Sequence, residues 1–182
     1  TQNYTIMKKL IFILLVAISI TSFSQNFFKK DFNKHKKYIV LTNPTVRNIQ
    51  TIQFLVHQNL LDINQRKAKF VGVYYSGQNY NFNETKNYIA EKRLKNFYLQ
   101  EINGELTVEN IFKKNEITDD LQLVFNNSVG VFFFGGPDIP PAIYGEENSL
   151  SVFTDPGRHF FEATFLFHLL GGKQNNEFEP FL

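Results

Sequence analysis

Val129-Gly130-Val131-Phe132-Phe133-Phe134-Gly135-Gly136-Pro137 is the stretch that decides the fold of this chain. Six residues without a charge are followed at once by Gly-Gly-Pro, the punctuation that ends a strand. A strand apolar on both faces predicts the buried middle of a parallel sheet whose two faces are covered by helices. Downstream, Asp155 is placed to cap a helix, Pro156 suits its first position, and Gly171-Gly172 follow its end. Upstream, Thr118 reads as the cap of another helix, with Asp119 and Asp120 in the first turn where the macrodipole favours anions.

The same alternation runs back to the start of the fold. Leu106 to Asn115 is ambiguous between strand and short helix, and Phe97 to Ile102 reads as a strand closed by Asn103-Gly104. Asn83 is read as the N-cap of a helix to about Lys95, with Tyr88, Ile89 and Lys92 on one face. Phe70 to Tyr75 is a strand. Thr45 to Leu61 places Ile49, Ile52, Val56 and Leu60 at helical spacing. Tyr38 to Leu41 is a short apolar run ended by Asn43-Pro44. Strands alternating with helices predict an α/β fold, a parallel sheet with helices on both faces. No internal repeat interrupts it.

The first 37 residues are of a different kind. Met7-Lys8-Lys9, the apolar run Leu10 to Ile20 and the small residues Ser22 and Ser24 have the layout of a bacterial secretory signal peptide. The apolar run is too short to cross a bilayer of about 30 Å as a helix. Residues 1–24 are thus read as upstream residues plus leader, 25–37 as a basic, solvated entry segment, and 38–182 as the folded domain. The expected location is periplasmic or extracellular, with no membrane attachment once the leader is removed. Of the 182 residues, 43% are hydrophobic, which excludes a disordered chain. Setting aside Lys8 and Lys9 leaves 17 basic against 17 acidic residues, so phosphate neutralisation offers no drive toward nucleic acid. No cysteine occurs, which excludes disulfides, thiolate metal sites and a Cys nucleophile within these residues. No metal-ligand spacing stands out, and neither metal nor cofactor is expected.

Open α/β sheets bind ligands beyond the carboxyl ends of their strands. The segment after the most apolar strand is Gly135-Gly136-Pro137-Asp138-Ile139-Pro140-Pro141-Ala142-Ile143-Tyr144-Gly145-Glu146. Two glycines let backbone approach a ligand and leave N–H groups to face an oxyanion. Taken alone, the pair also reads as a tight turn and nothing more. His159 and His168, inside the last helix, are read as structural or solvent-facing.

Residues 135–146 resemble the G-G-x-D-[IV]-x-P-x-x-Y-[GN]-E pattern of the class I glutamine amidotransferase-like family. The similarity is to its gamma-glutamyl-gamma-aminobutyrate hydrolase and gamma-glutamyl peptidase branch. Asp155, Arg158 and Glu162 match that branch's helix start, whereas Pro140 stands where it commonly has Asp. Asn43 to Asn48 and Phe70 to Tyr75 look like the opening of such a domain.

The resemblance implies a flavodoxin-like sheet and a Cys–His–Glu triad hydrolysing gamma-glutamyl amides. It implies that Gly135 or Gly136 lends an oxyanion-hole N–H, and that Asp138 and Tyr144 shape the substrate side. The partner it implies is a small gamma-glutamyl substrate. The family's nucleophile elbow, His and Glu come after the next strand, beyond Leu182. The chain is therefore expected to be the N-terminal part of an exported hydrolase, with the sheet incomplete at the C-terminus and inactive alone. The alternative is a complete, non-catalytic exported binding or scaffolding module of the same fold.

Overall fold

A computed structural model describes Phe27 and residues 38–61, 63, 68–136 and 138–182. The expected leader, and all of the entry segment except Phe27, lie outside the described residues. The elements alternate as the sequence implies. They are β1 (Tyr38–Thr42), α1 (Val46–His57), β2 (Lys69–Tyr75), α2 (Phe82–Glu91), β3 (Phe97–Ile102), α3 (Thr118–Asn126), β4 (Ser128–Phe132), a 3-10 turn (Pro141–Tyr144) and α4 (Pro156–Leu170). All four strands are parallel, in the order β3-β2-β1-β4, giving a flavodoxin-like α/β sheet.

Period-2 alternation along each strand divides the core into two layers. Tyr38, Val40, Val71 and Val73 point to one face, where Leu121 and Val124 of α3 and Phe161, Phe165 and Leu169 of α4 cover them. Leu41, Phe70 and Phe97 point to the other, beneath Ile49, Ile52 and Val56 of α1 and Tyr88 and Ile89 of α2. Gly72 sits where a Cβ would run into the side chain of Pro44, so the β1–α1 loop closes directly over the second strand.

Several local expectations need correction. Among the described residues β4 is at an edge and not in the middle of the four-stranded sheet: it pairs with β1, and Val129 is 60% exposed. Its apolar residues are explained by cover above and below, with Phe133 5.9 Å from Phe165 on one face and Phe132 and Phe134 in the other layer. Facial cover and lateral position are separate properties, and composition reports only the first.

Helix α1 stops at His57, before Leu60, which is exposed because Asn59 takes a left-handed φ of 54° and turns the chain away. The cap of α2 is Asn81, whose side chain accepts from Asn83 N; Lys92 is exposed. Leu106 to Asn115 forms turns, anchored by buried Leu106 and Ile111. Thr118 opens α3 without capping it, its hydroxyl being engaged elsewhere. Phe27 is buried, not solvated: its ring stacks 4.3 Å from Tyr98 and meets Tyr38 edge-on.

At α1 the Thr45 hydroxyl accepts from Asn48 N at 3.2 Å, a standard N-terminal cap. Thr45→Ala should lower stability by about 1 kcal/mol in a denaturant melt. No change would mean that the neighbouring Asn48–Asn43 bond holds the helix start unaided.

Candidate functional site

The chain winds outward from β1 through β2 to β3, then returns to the opposite side of β1 as β4. The strand order therefore reverses between β1 and β4, and the crevice beyond their carboxyl ends is where such a sheet binds ligands. Thr42, the last residue of β1, faces this crevice together with the chain leaving β4. Its hydroxyl lies 2.9 Å from Glu162 Oε1 and 3.2 Å from the Phe132 carbonyl.

Arg158 and Glu162 reach the same place from α4. Asp155 caps that helix by accepting from Arg158 N at 3.1 Å, and the i, i+4 spacing sets Arg158 Nε 3.3 Å from Glu162 Oε2. The guanidinium is buried and donates from Nη2 to the carbonyls of Phe134, at 2.6 Å, and Gly135, at 3.2 Å. Gly136 lies so close that a Cβ there would strike Nη1. Burial pushes the Glu162 carboxyl above its ordinary value, while Arg158 and the Thr42 hydroxyl pull it back. His159, also buried, is held below its ordinary value by burial and by the neighbouring Arg158 charge.

This contact fixes the direction of two peptide groups. In a trans peptide the N–H points opposite to the C=O, and the described bonds are all trans. One nitrogen of Arg158 gathers the carbonyls of Phe134 and Gly135, so the N–H groups of Gly135 and Gly136 turn away from α4. Both glycines are exposed, and among the described residues neither N–H has a partner. Two adjacent donors facing outward from a fixed turn suit an anion or a developing oxyanion.

The loops beyond β1 and β2 brace the crevice. Gln78 accepts from Tyr75 N at 2.8 Å and donates to Asn43 Oδ1 at 3.3 Å. A Cβ on Gly157 would meet the Gly77 carbonyl, so α4 is seated directly on the β2–α2 loop.

The sequence-derived residues divide into two groups. Gly135 and Gly136 stand at the crevice with Arg158 and Glu162. Asp138 and Tyr144 do not join them: Asp138 is exposed and accepts from Val152 N at 3.2 Å, closing its own loop, and Tyr144 is 60% exposed on the 3-10 turn. Among the described residues, neither side chain is hydrogen-bonded to the glycine turn or to Arg158. Thr42 was missed by sequence reasoning; the only signal was a hydroxyl residue ending an apolar strand just before Asn43-Pro44. His159 and His168 are both buried, so neither faces solvent. Among the described residues no cluster of three or more His, Cys, Asp or Glu could hold a metal ion, and no helix is long and apolar enough to cross a membrane.

The chain matches no protein-family model, no curated protein and no solved structure.

Gly136→Ala tests the contact directly. The added methyl must displace the far end of the Arg158 side chain, and the cost is the loss of its bonds to the Phe134 and Gly135 carbonyls, about 1–3 kcal/mol. A variant that melts with the parent would show that Arg158 does not hold the turn.

Proposed function

We propose that this chain carries the oxyanion side of an exported hydrolase of gamma-glutamyl amides, with the thiol, its base and the orienting carboxylate supplied by sequence beyond Leu182. The supporting observation is the Gly135–Gly136 donor pair, held outward by Arg158 at the point where strand order reverses. In acyl transfer the carbonyl oxygen of the scissile amide gains negative charge as the nucleophile adds. Preorganised N–H donors stabilise that charge, and one such donor is commonly worth about 3 kcal/mol of barrier. Attack needs an activated thiol, and the 182 residues contain none. The role assigned to this chain is thus to hold the carbonyl and not to cleave it.

Titration of the isotopically labelled chain with a gamma-glutamyl anilide should move the Gly135 and Gly136 amide resonances saturably, without release of aniline. Amides that stay fixed while the rest of the spectrum is intact would refute the assignment.

The same donor pair would also serve a second reading, a module that binds a gamma-glutamyl ligand and never turns it over. The gene past the Leu182 codon separates the two. A downstream G-x-C-x-G elbow supports the hydrolase, and an in-frame stop supports the binder. Where the elbow exists, replacing its Cys with Ser should abolish hydrolysis, and retained activity would exclude the thiol mechanism.

A further inference from the structure

Among the described residues two hollows outside the crevice can be compared. The larger, about 360 Å³, is at the amino ends of β2 and β3, bordered by Ile52, Val56, His57 and Phe97. It offers little charge and stands at the end of the sheet where ligands do not ordinarily bind. The smaller, about 220 Å³, opens at the carboxyl ends of β2 and β3, on the far side of β1 from the glycine turn.

Aromatic rings and the polar side chains of Ser76, Asn81 and Asn83 line the smaller hollow together with two opposite charges. Tyr74 is buried and stacked on Phe82 with ring centroids 4.0 Å apart, and Tyr80 closes edge-on against Phe82 at 4.9 Å. Lys86, one turn after Phe82 on α2, holds Nζ 6.0 Å from the centre of the Tyr74 ring. Glu101 is the register partner of Tyr74 on β3 and lines the same hollow. Among the described residues neither Lys86 nor Glu101 has an ionic partner, and the two do not pair with each other. An ammonium and a carboxylate that share a small concavity without touching leave room for a ligand carrying the complementary charges.

The geometry points to a binding site for a small, free α-amino acid. Its carboxylate meets Lys86, its ammonium meets Glu101, and a short side chain lies beside the ring edges that line the hollow. Size and charge argue together for this class. The volume is below the usual range of about 300–1,000 Å³ for drug-sized ligands. A molecule that carries an ammonium and a carboxylate close together can meet Lys86 and Glu101 at once within it. The site is independent of the glycine turn.

The test is a titration of the labelled full chain with L-alanine, N-acetyl-L-alanine and L-alaninamide, following the amides of Tyr74, Lys86 and Glu101. L-alanine should shift them saturably. Each capped analogue, lacking one charge, should bind about tenfold more weakly or worse, since a hydrogen bond to a charged group is worth about 1.5–3 kcal/mol. Lys86→Met should erase the difference between L-alanine and L-alaninamide, and Glu101→Gln the difference between L-alanine and N-acetyl-L-alanine. Both side chains are only partly buried, and unchanged melts would show both variants folded. No saturable shift, equal binding of all three probes, or loss with only one cap would each overturn an amino-acid site.

Discussion

Arg158→Leu is expected to cost the fold about 3 kcal/mol, the lower end of what breaking a buried ion pair costs, because Glu162 is half-buried and keeps its bond from Thr42. For a domain of this size the midpoint of thermal unfolding should fall by about 10 °C. Three groups lose the guanidinium at once. Glu162 keeps its burial but loses the guanidinium that opposes the burial effect, and the carbonyls of Phe134 and Gly135 lose a donor. With those carbonyls released, nothing directs the N–H groups of Gly135 and Gly136 outward, so binding of a gamma-glutamyl anilide should weaken in parallel. A double variant, Arg158→Leu with Glu162→Leu, separates the two effects. Removing both charges restores much of the stability, because an apolar pair of similar volume is often as stable as the ions it replaces. It should not restore anilide binding, because the carbonyl anchor is still missing. A single variant that loses less than about 1 kcal/mol would place Arg158 among surface ion pairs and remove the argument for a fixed turn.

The contrast between β4 and α4 shows what could be read from sequence. The bounds of α4 follow from local chemistry: Asp155 accepts from a backbone N–H, Pro156 needs no donor, and Gly171 takes a φ of 68° that disfavours side chains. Each of those requirements is met within a few residues, so each is written locally. The lateral place of β4 is not local. Val131, Phe132 and Phe133 are apolar because helices lie above and below them, and that remains true at an edge. One misassigned cap has the same origin, whereas the shift of the α2 cap from Asn83 to Asn81 is local. Thr118 has the right chemistry for a cap, but His168, 50 residues away, takes its hydroxyl. In the site, the glycine turn and the i, i+4 spacing of Arg158 and Glu162 were visible. Their meeting with Thr42 depends on β4 lying next to β1, which no single segment encodes.

His168→Ala should be the second severe variant, lowering stability by about 2–5 kcal/mol at neutral pH, as large core truncations do. The ring is fully buried, with Nδ1 2.8 Å from the Thr164 carbonyl and Nε2 2.8 Å from the Thr118 hydroxyl. A carbonyl can only accept, so the proton belongs on Nδ1 and Nε2 accepts from Thr118, a tautomer assigned from these partners. The ring also supports the end of the chain: Phe178 and Phe181 pack on it at 4.9 and 5.6 Å, and Phe181 N donates to the His168 carbonyl at 2.9 Å. Truncation therefore leaves a cavity, removes the ring nitrogen that accepts from the Thr118 hydroxyl and takes away the ring on which Phe178 and Phe181 pack. The Phe181 and Leu182 amides, though their carbonyl acceptors remain, should then lose part of their protection from hydrogen exchange. The pH dependence has a definite sign. Burial lowers the folded value of His168 beneath its ordinary 6.5. Above pH 6.5 the ring is neutral in both states and its contribution is complete. Below 6.5 the unfolded chain takes the proton first, and stability falls until the pH passes the folded value. His159 is lowered in the same direction, so the alanine variant should retain part of this slope and lose the rest. An unaltered slope in His168→Ala would mean that the buried ring is not what makes the fold sensitive to acid.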